Sequence, residues 1–124
     1  MDVRHLLSWA TESGDLVHVD VPVDPHLELA RVIDALDGQP VFFQELAGYP
    51  DWRAVSGTCA QRETFAAALG CTVPELIARM NEALRHPIAP PVQDQGACQA
   101  VTAPLDLTRL PIPRYHRADG APYI

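Results

Sequence analysis

Lysine is absent from all 124 residues. Every positive charge is one of nine arginines, set against sixteen carboxylates for a formal net charge of −7. No stretch clusters the arginines. A surface of that sign repels phosphate backbones and anionic lipid headgroups, so nucleic acid and membrane are poor partners. No apolar run approaches the roughly 20 residues of a membrane helix. The opening MDVRHLLSWATESGD lacks the basic flank, long apolar run and small-residue cleavage site of a secretory signal, so a cytoplasmic chain is expected. Cysteine is scarce: Cys59, Cys71 and Cys98 are widely spaced, with no CxxC pair. That argues against a zinc site or a disulfide framework and for free thiols. There is also no P-loop, no GxGxxG and no GxSxG elbow.

What the chain has in abundance is proline, twelve in all, crowded towards the end from Pro87 onward. Before that point the pattern is that of alternating helices and strands. Asp2 is placed to cap a helix whose apolar positions include Val3, Leu6, Leu7 and Ala10, with Ser13-Gly14-Asp15 ending it. Leu16 to Val21 alternates apolar and polar residues, the mark of a strand with one buried face. Asp24 with Pro25 reads as a cap and first position of a second helix, continuing through Leu36 to a stop at Asp37-Gly38. Pro40 to Gln44 and Trp52 to Gly57 read as strands. A third helix spans about Ala60 to Leu69 before Gly70. A fourth starts at the capping box Thr72…Glu75 and carries the stripe Leu76, Ile77, Met80, Ala83, Leu84 up to His86-Pro87. The expected fold is α/β: a small mixed sheet with flanking helices over residues 1–87, followed by an extended, Pro-rich C-terminal arm over 88–124. One short β-prone piece, Gln99 to Thr102, interrupts that arm.

The arm has apolar anchors at Leu105, Leu107, Leu110 and Ile112, while Pro111, Pro113 and Pro122 forbid a regular helix. It therefore reads as an extended segment pinned on another surface. At about 25 cal/mol per Å² of apolar area, four such side chains represent several kcal/mol awaiting something to cover them. The last residues, Tyr123 and Ile124, are apolar and strand-forming, where frayed polar residues are usual. The expectation is a strand that continues, and a chain that is the leading module of a larger enzyme with no catalytic residue of its own.

The densest polar group is Arg114-Tyr115-His116-Arg117-Ala118-Asp119-Gly120. A functional reading makes it an anion-binding or proton-handling loop, with Arg114 or Arg117 gripping a carboxylate or phosphate. The bland reading is a solvated turn with Asp119-Gly120 at its tip and its arginines in surface ion pairs. His5, His18 and His26 have no partner at metal-ligand spacing. No carboxylate pair sits in the apolar context that would set up acid–base chemistry.

LDLTRLPIPRYHRADGAPYI resembles the junction of the UbiD family of decarboxylases, where a phrase of the form DLxxLPxP…DxGPYI leads into a flavin-binding domain. Asp2-Val3-Arg4-His5-Leu6-Leu7, Gly14-Asp15-Leu16-Val17 and Val21-Pro22-Val23-Asp24-Pro25 with Glu28 match the family's opening, and Arg62 to Gly70 its "R…ALG" helix. Ala121, where the family commonly has Gly, is a departure. The resemblance implies an α/β domain beside a split-barrel flavin domain, in enzymes that reversibly decarboxylate aromatic or α,β-unsaturated acids. It implies prenylated FMN held with a divalent metal (Mn or Mg) and K, none bound by this chain alone, and a Glu–Arg–Glu set, all lying after this phrase. What carries over is backbone proximity of Pro122, Tyr123 and Ile124 to the cofactor. Leu107, Leu110, Ile112, Arg114, His116, Arg117 and Asp119 then become interface residues towards a catalytic flavin-binding domain or polypeptide in an oligomeric enzyme. A non-catalytic docking or regulatory module derived from the family is the alternative.

Overall fold

The computed structural model describes residues 2–122. Helix α1 (Val3–Ser13) begins where the Asp2 carboxylate accepts the backbone N–H of His5 at 2.9 Å, and ends at Gly14 in the left-handed region, φ 78°. Such a residue closes a helix with least strain when it has no Cβ. Strand β1 (Val17–Val19) keeps the expected alternation, with His18 turned outward between two partly buried valines. Strand β2 (Val41–Phe43) lies at the centre of a three-stranded sheet, parallel to β1 and antiparallel to β3 (Ala54–Ser56). Gly57, which follows β3, is obligatory for a different reason. At φ 74°, a Cβ there would run into the backbone carbonyl of Gln39.

Register decides which residues share a face. Val17 pairs with Val41 and Val19 with Phe43, so these four side chains point the same way. Helix α2 (Glu28–Ala35) covers that face. Leu29 joins Val23, Val41, Phe43 and Leu46 in the buried core, with Val32, Ile33 and Leu36 packed against it. Phe43 is 0% exposed, and burying a side chain of this class contributes about 1.5–3 kcal/mol. The opposite face carries the row His18–Phe42–Val55, where the His18 and Phe42 rings meet edge-on at 6.0 Å. His18 and Val55 on it are exposed.

Helices α3 (Arg62–Leu69) and α4 (Leu76–Arg85) follow the sheet. α3 packs on α1 and on α4, burying Leu6, Ala10, Thr64, Ala66 and Leu76. The capping box before α4 forms as the sequence predicts: Glu75 accepts from both the backbone N–H and the hydroxyl of Thr72, at 2.9 and 2.7 Å. Both caps shift a titration. The His5 backbone N–H holds the Asp2 carboxyl below the ordinary carboxylate range, and the Thr72 backbone N–H does the same for Glu75.

The structure corrects the start of the second helix and refines two further readings. The second helix does not start at Pro25. The Asp24 carboxylate instead accepts the backbone N–H of His26 at 2.8 Å in a turn, Glu28 reaches back to the Asp24 N–H, and helical geometry begins only at Glu28. The reason is tertiary: Pro25 to Leu27 is held by a bridge to Arg114. The β-prone piece Gln99 to Thr102 forms no strand, and its start belongs to the 3₁₀ turn Ala97–Gln99. The α4 stripe is not core beyond Leu76, for Ile77, Met80 and Leu84 are all exposed.

After α4 the regular elements among the described residues are the 3₁₀ turns Ala97–Gln99 and Leu107–Arg109. Residues 86–109 are almost wholly exposed, with Ile88 at 94% and Leu105 at 90%. The chain's accessible surface is 9592 Å², against roughly 6,600 Å² for a compact monomer of this mass.

Candidate functional site

The arm returns to the body at Leu110. From there to Pro113 every residue is half-buried, and together these four residues form one wall of an apolar groove of about 360 Å³. The other wall is body: Leu29 and Ile33 of α2, Phe43 and Leu46, and strand β3. Leu110 and Ile112 thus cover their own domain. Leu105 and Leu107, in contrast, stay exposed. The sum of four anchors awaiting a partner is therefore reduced to two.

At Arg114 the arm makes backbone bonds with the body. Arg114 donates its N–H to the Pro25 carbonyl at 3.1 Å and accepts from the Leu27 N–H at 2.9 Å. Leu27 meets this geometry at φ 72°, ψ −30°. A branched side chain in that region costs of order 1–3 kcal/mol and persists only where its surroundings over-determine it. The bond to Arg114 and the Arg31 N–H on the Leu27 carbonyl, at 3.2 Å, are two such constraints. Nearby, the Tyr49 hydroxyl lies 3.5 Å from the Thr108 carbonyl.

The loop beyond is closed by its own side chains. The Arg114 guanidinium donates through Nε to the His116 carbonyl at 3.3 Å, and through Nη2 to the carbonyls of Arg117 and Asp119 at 2.9 and 2.7 Å. From the other side the Asp119 carboxylate accepts the N–H groups of Tyr115 and His116 at 3.1 and 2.8 Å. Arginine and aspartate share the loop, yet each is spent on backbone. The arginines are not in surface ion pairs: among the described residues both ion pairs are His–carboxylate contacts, His5–Asp2 and His86–Glu82. Arg117 and His116 face outward, lining with Arg31 and Tyr115 a concavity of about 450 Å³ beside α2.

The residues singled out from sequence thus divide. Arg114 and Asp119 are brought together and face inward to the loop; Leu110 and Ile112 lie on the body; Leu107, His116, Arg117 and Pro122 are exposed. Tyr123 and Ile124 lie outside the described residues. Sequence reasoning missed Pro25 and Leu27, the receiving half of the dock. No local signal marks them, since a strained Leu is legible only once its partner is known. Among the described residues no group of three or more His, Cys, Asp or Glu could hold a metal ion, and no helix is long and apolar enough to cross a membrane.

Residues 7–84 match the model of the 3-octaprenyl-4-hydroxybenzoate carboxy-lyase N-terminal domain. The chain is 28% identical over 124 residues to the anhydromevalonate phosphate decarboxylase of Methanosarcina mazei, covering 100% of this chain and 28% of that protein. It is 30% identical over 142 residues to the pyrrole-2-carboxylic acid decarboxylase of Pseudomonas aeruginosa, covering 99% of this chain and 29% of the relative. Among solved structures it superposes on the UbiD-class enzyme HmfF from Pelotomaculum thermopropionicum in complex with FMN, with a TM-score of 0.86 and 30% identity over 98% of this chain and 28% of that one. An evolved dimeric form of the same enzyme, in complex with prFMN, gives a TM-score of 0.84 at 30% identity, over 98% of this chain and 29% of that one.

Proposed function

The chain belongs to the UbiD family, and on that premise we propose that it is the N-terminal module of a carboxy-lyase acting on aromatic or α,β-unsaturated acids with prenylated FMN. The catalytic residues reside on a following domain or on a separate chain, in an oligomeric, cytoplasmic enzyme. Residues 1–87 are the body of the module and 88–124 the connector to the flavin-binding part. The observation that carries this reading is surface. The chain spans about 28% of the length of the relatives it matches. It also exposes 9592 Å², roughly 3,000 Å² beyond what a compact monomer of its mass would. Ile77 and Leu84 of α4 and Ile88, Val92, Val101 and Leu105 of residues 86–109 are among the exposed apolar side chains. Large apolar side chains left exposed in this number support a contact with another surface.

The described residues do not by themselves fit the cofactor. They offer no group of three or more His, Cys, Asp or Glu to hold a metal, and the Nε and Nη2 donors of Arg114 are already spent on carbonyls. When bound, the flavin supplies the covalent site at which the substrate loses its carboxylate. On this reading the Pro122–Ile124 backbone borders the cofactor, with Tyr123 and Ile124 lying outside the described residues. Leu107, His116 and Arg117 are outward contacts to the flavin-binding part, with Leu110, Ile112, Arg114 and Asp119 supporting them from below.

The test is to co-express the chain with a flavin-binding polypeptide of the family, supply prenylated FMN, and assay a panel of both acid classes. A complex that carries flavin absorbance and releases CO₂ is expected. A lone, flavin-free species of 13.6 kDa would overturn the proposal. The seating of Leu110 and Ile112 on their own domain favours a second reading, a non-catalytic docking module. Such a module would bind the same partner without altering flavin absorbance or CO₂ release.

A further inference from the structure

The Arg114 loop is better built than a connector needs. A peptide link between two domains can be any solvated turn, yet here one guanidinium gathers three carbonyls while one carboxylate gathers two N–H groups. The same residue's backbone clamps Pro25 and Leu27. We infer that Arg114 is a positioning residue: its side chain closes residues 114–119 against the start of α2, and so sets the direction in which the chain leaves the domain towards the residues that follow Asp119.

The chemistry suits arginine alone. The three carbonyls belong to His116, Arg117 and Asp119, so they point inward from different sides of one turn. A planar fork reaches them with donors held in fixed directions on Nε and Nη2, whereas a lysine ammonium, though it also has three donors, carries them on one atom at the end of a flexible stem and would need the three carbonyls to converge on that point. Each carbonyl would otherwise turn to water, and the turn would sample other shapes. The clamp is rigid on the body side as well, because Leu27 is already forced to φ 72° to reach it. Loop, α2 start and the core residue Leu29 are thereby one mechanical unit. Arg114 accordingly acts through the backbone it holds, with its Nε and Nη2 donors spent on carbonyls.

The consequence for catalysis rests on the reading of the chain as the module preceding a prenylated-flavin domain, and the experiment separates the two. Arg114→Met and Arg114→Lys are made in the full chain and in its complex with the flavin-binding part. Hydrogen exchange is followed at the amides of Leu27, Tyr115, His116 and Phe43. In Arg114→Met the first three are expected to exchange on the order of tenfold faster, while Phe43 in the core is unchanged. Arg114→Lys is expected to recover only part of this protection. In the complex, the Met variant is expected to shift the bound flavin's absorption and to lower kcat more than it raises KM. Unchanged exchange at Tyr115 and His116 overturns the inference. A loosened loop with unaltered flavin absorption and kcat also overturns it, by showing that the loop positions nothing. If Phe43 exchanges faster too, the residue is merely structural and the inference fails. A wild-type complex without flavin defeats the family-based function instead, and the exchange data still decide what Arg114 holds.

Discussion

The body and the arm are held by opposite means. In the body, apolar side chains meet one another across the sheet and α2, with Val41 and Phe43 essentially sealed from water. In the returning part of the arm, backbone meets backbone at Pro25, Leu27 and Arg114, and backbone meets charged side chains within the loop. Between these regions, residues 86–109 are almost wholly exposed. Hydrophobic burial is strong but non-directional. Hydrogen bonds in an exposed loop add about 1 kcal/mol each but fix geometry. The difference teaches that the body supplies stability and the arm supplies direction.

Substitutions should break this division in a definite order. Phe43→Ala empties a fully buried site and is expected to cost about 3–5 kcal/mol, read as a lower urea midpoint. Ile112→Asp puts a charge into the half-buried groove between arm and body. It is expected to cost about 1–2 kcal/mol and to raise protease cleavage near Leu110 before the body unfolds. A cost equal to that of Phe43→Ala would erase the distinction. Leu105→Ser, at a position 90% exposed, is expected to change stability of the isolated chain by no more than about 0.5 kcal/mol. In the complex it is expected to weaken binding, and a large effect on the isolated chain would mean that the arm covers more than its groove.

Acid should act on the helix caps of the body. Asp2 and Glu75 both have carboxyls lowered by the backbone N–H groups they cap. The unfolded chain therefore takes up protons first. The stability these caps contribute is present above the ordinary carboxylate range and is lost as pH falls through the lowered values. Helicity measured against pH should hold steady near neutrality and fall only in acid. Glu75→Gln should flatten that fall, and an unchanged slope would show that the cap is not formed in solution.

Much of the body was legible because its signals are local. Asp2 and Gly14 bracket α1, Thr72 and Glu75 start α4, and the alternation around His18 marks a strand. Each depends on residues a few positions apart, within the reach of one turn or one pleat. The alternation also indicated that Val17 and Val19, but not His18, face inward. The stripe on α4 shows the limit of that reasoning. Its spacing says that Ile77, Met80 and Leu84 share a face, but spacing does not say what lies opposite.

The sequence alone, then, determined the order and kind of the elements, the family phrase at the end of the chain, and the polar loop as the place to look. The tertiary structure decided what that loop does. It joined Arg114 to Pro25 and Leu27, far away in the chain, delayed α2 to Glu28, and turned a guanidinium that could have gripped an anion onto three carbonyls of its own turn. The physical reason is range. Caps and alternation are written in neighbouring residues, whereas a bridge between distant segments exists only after the core has brought them together.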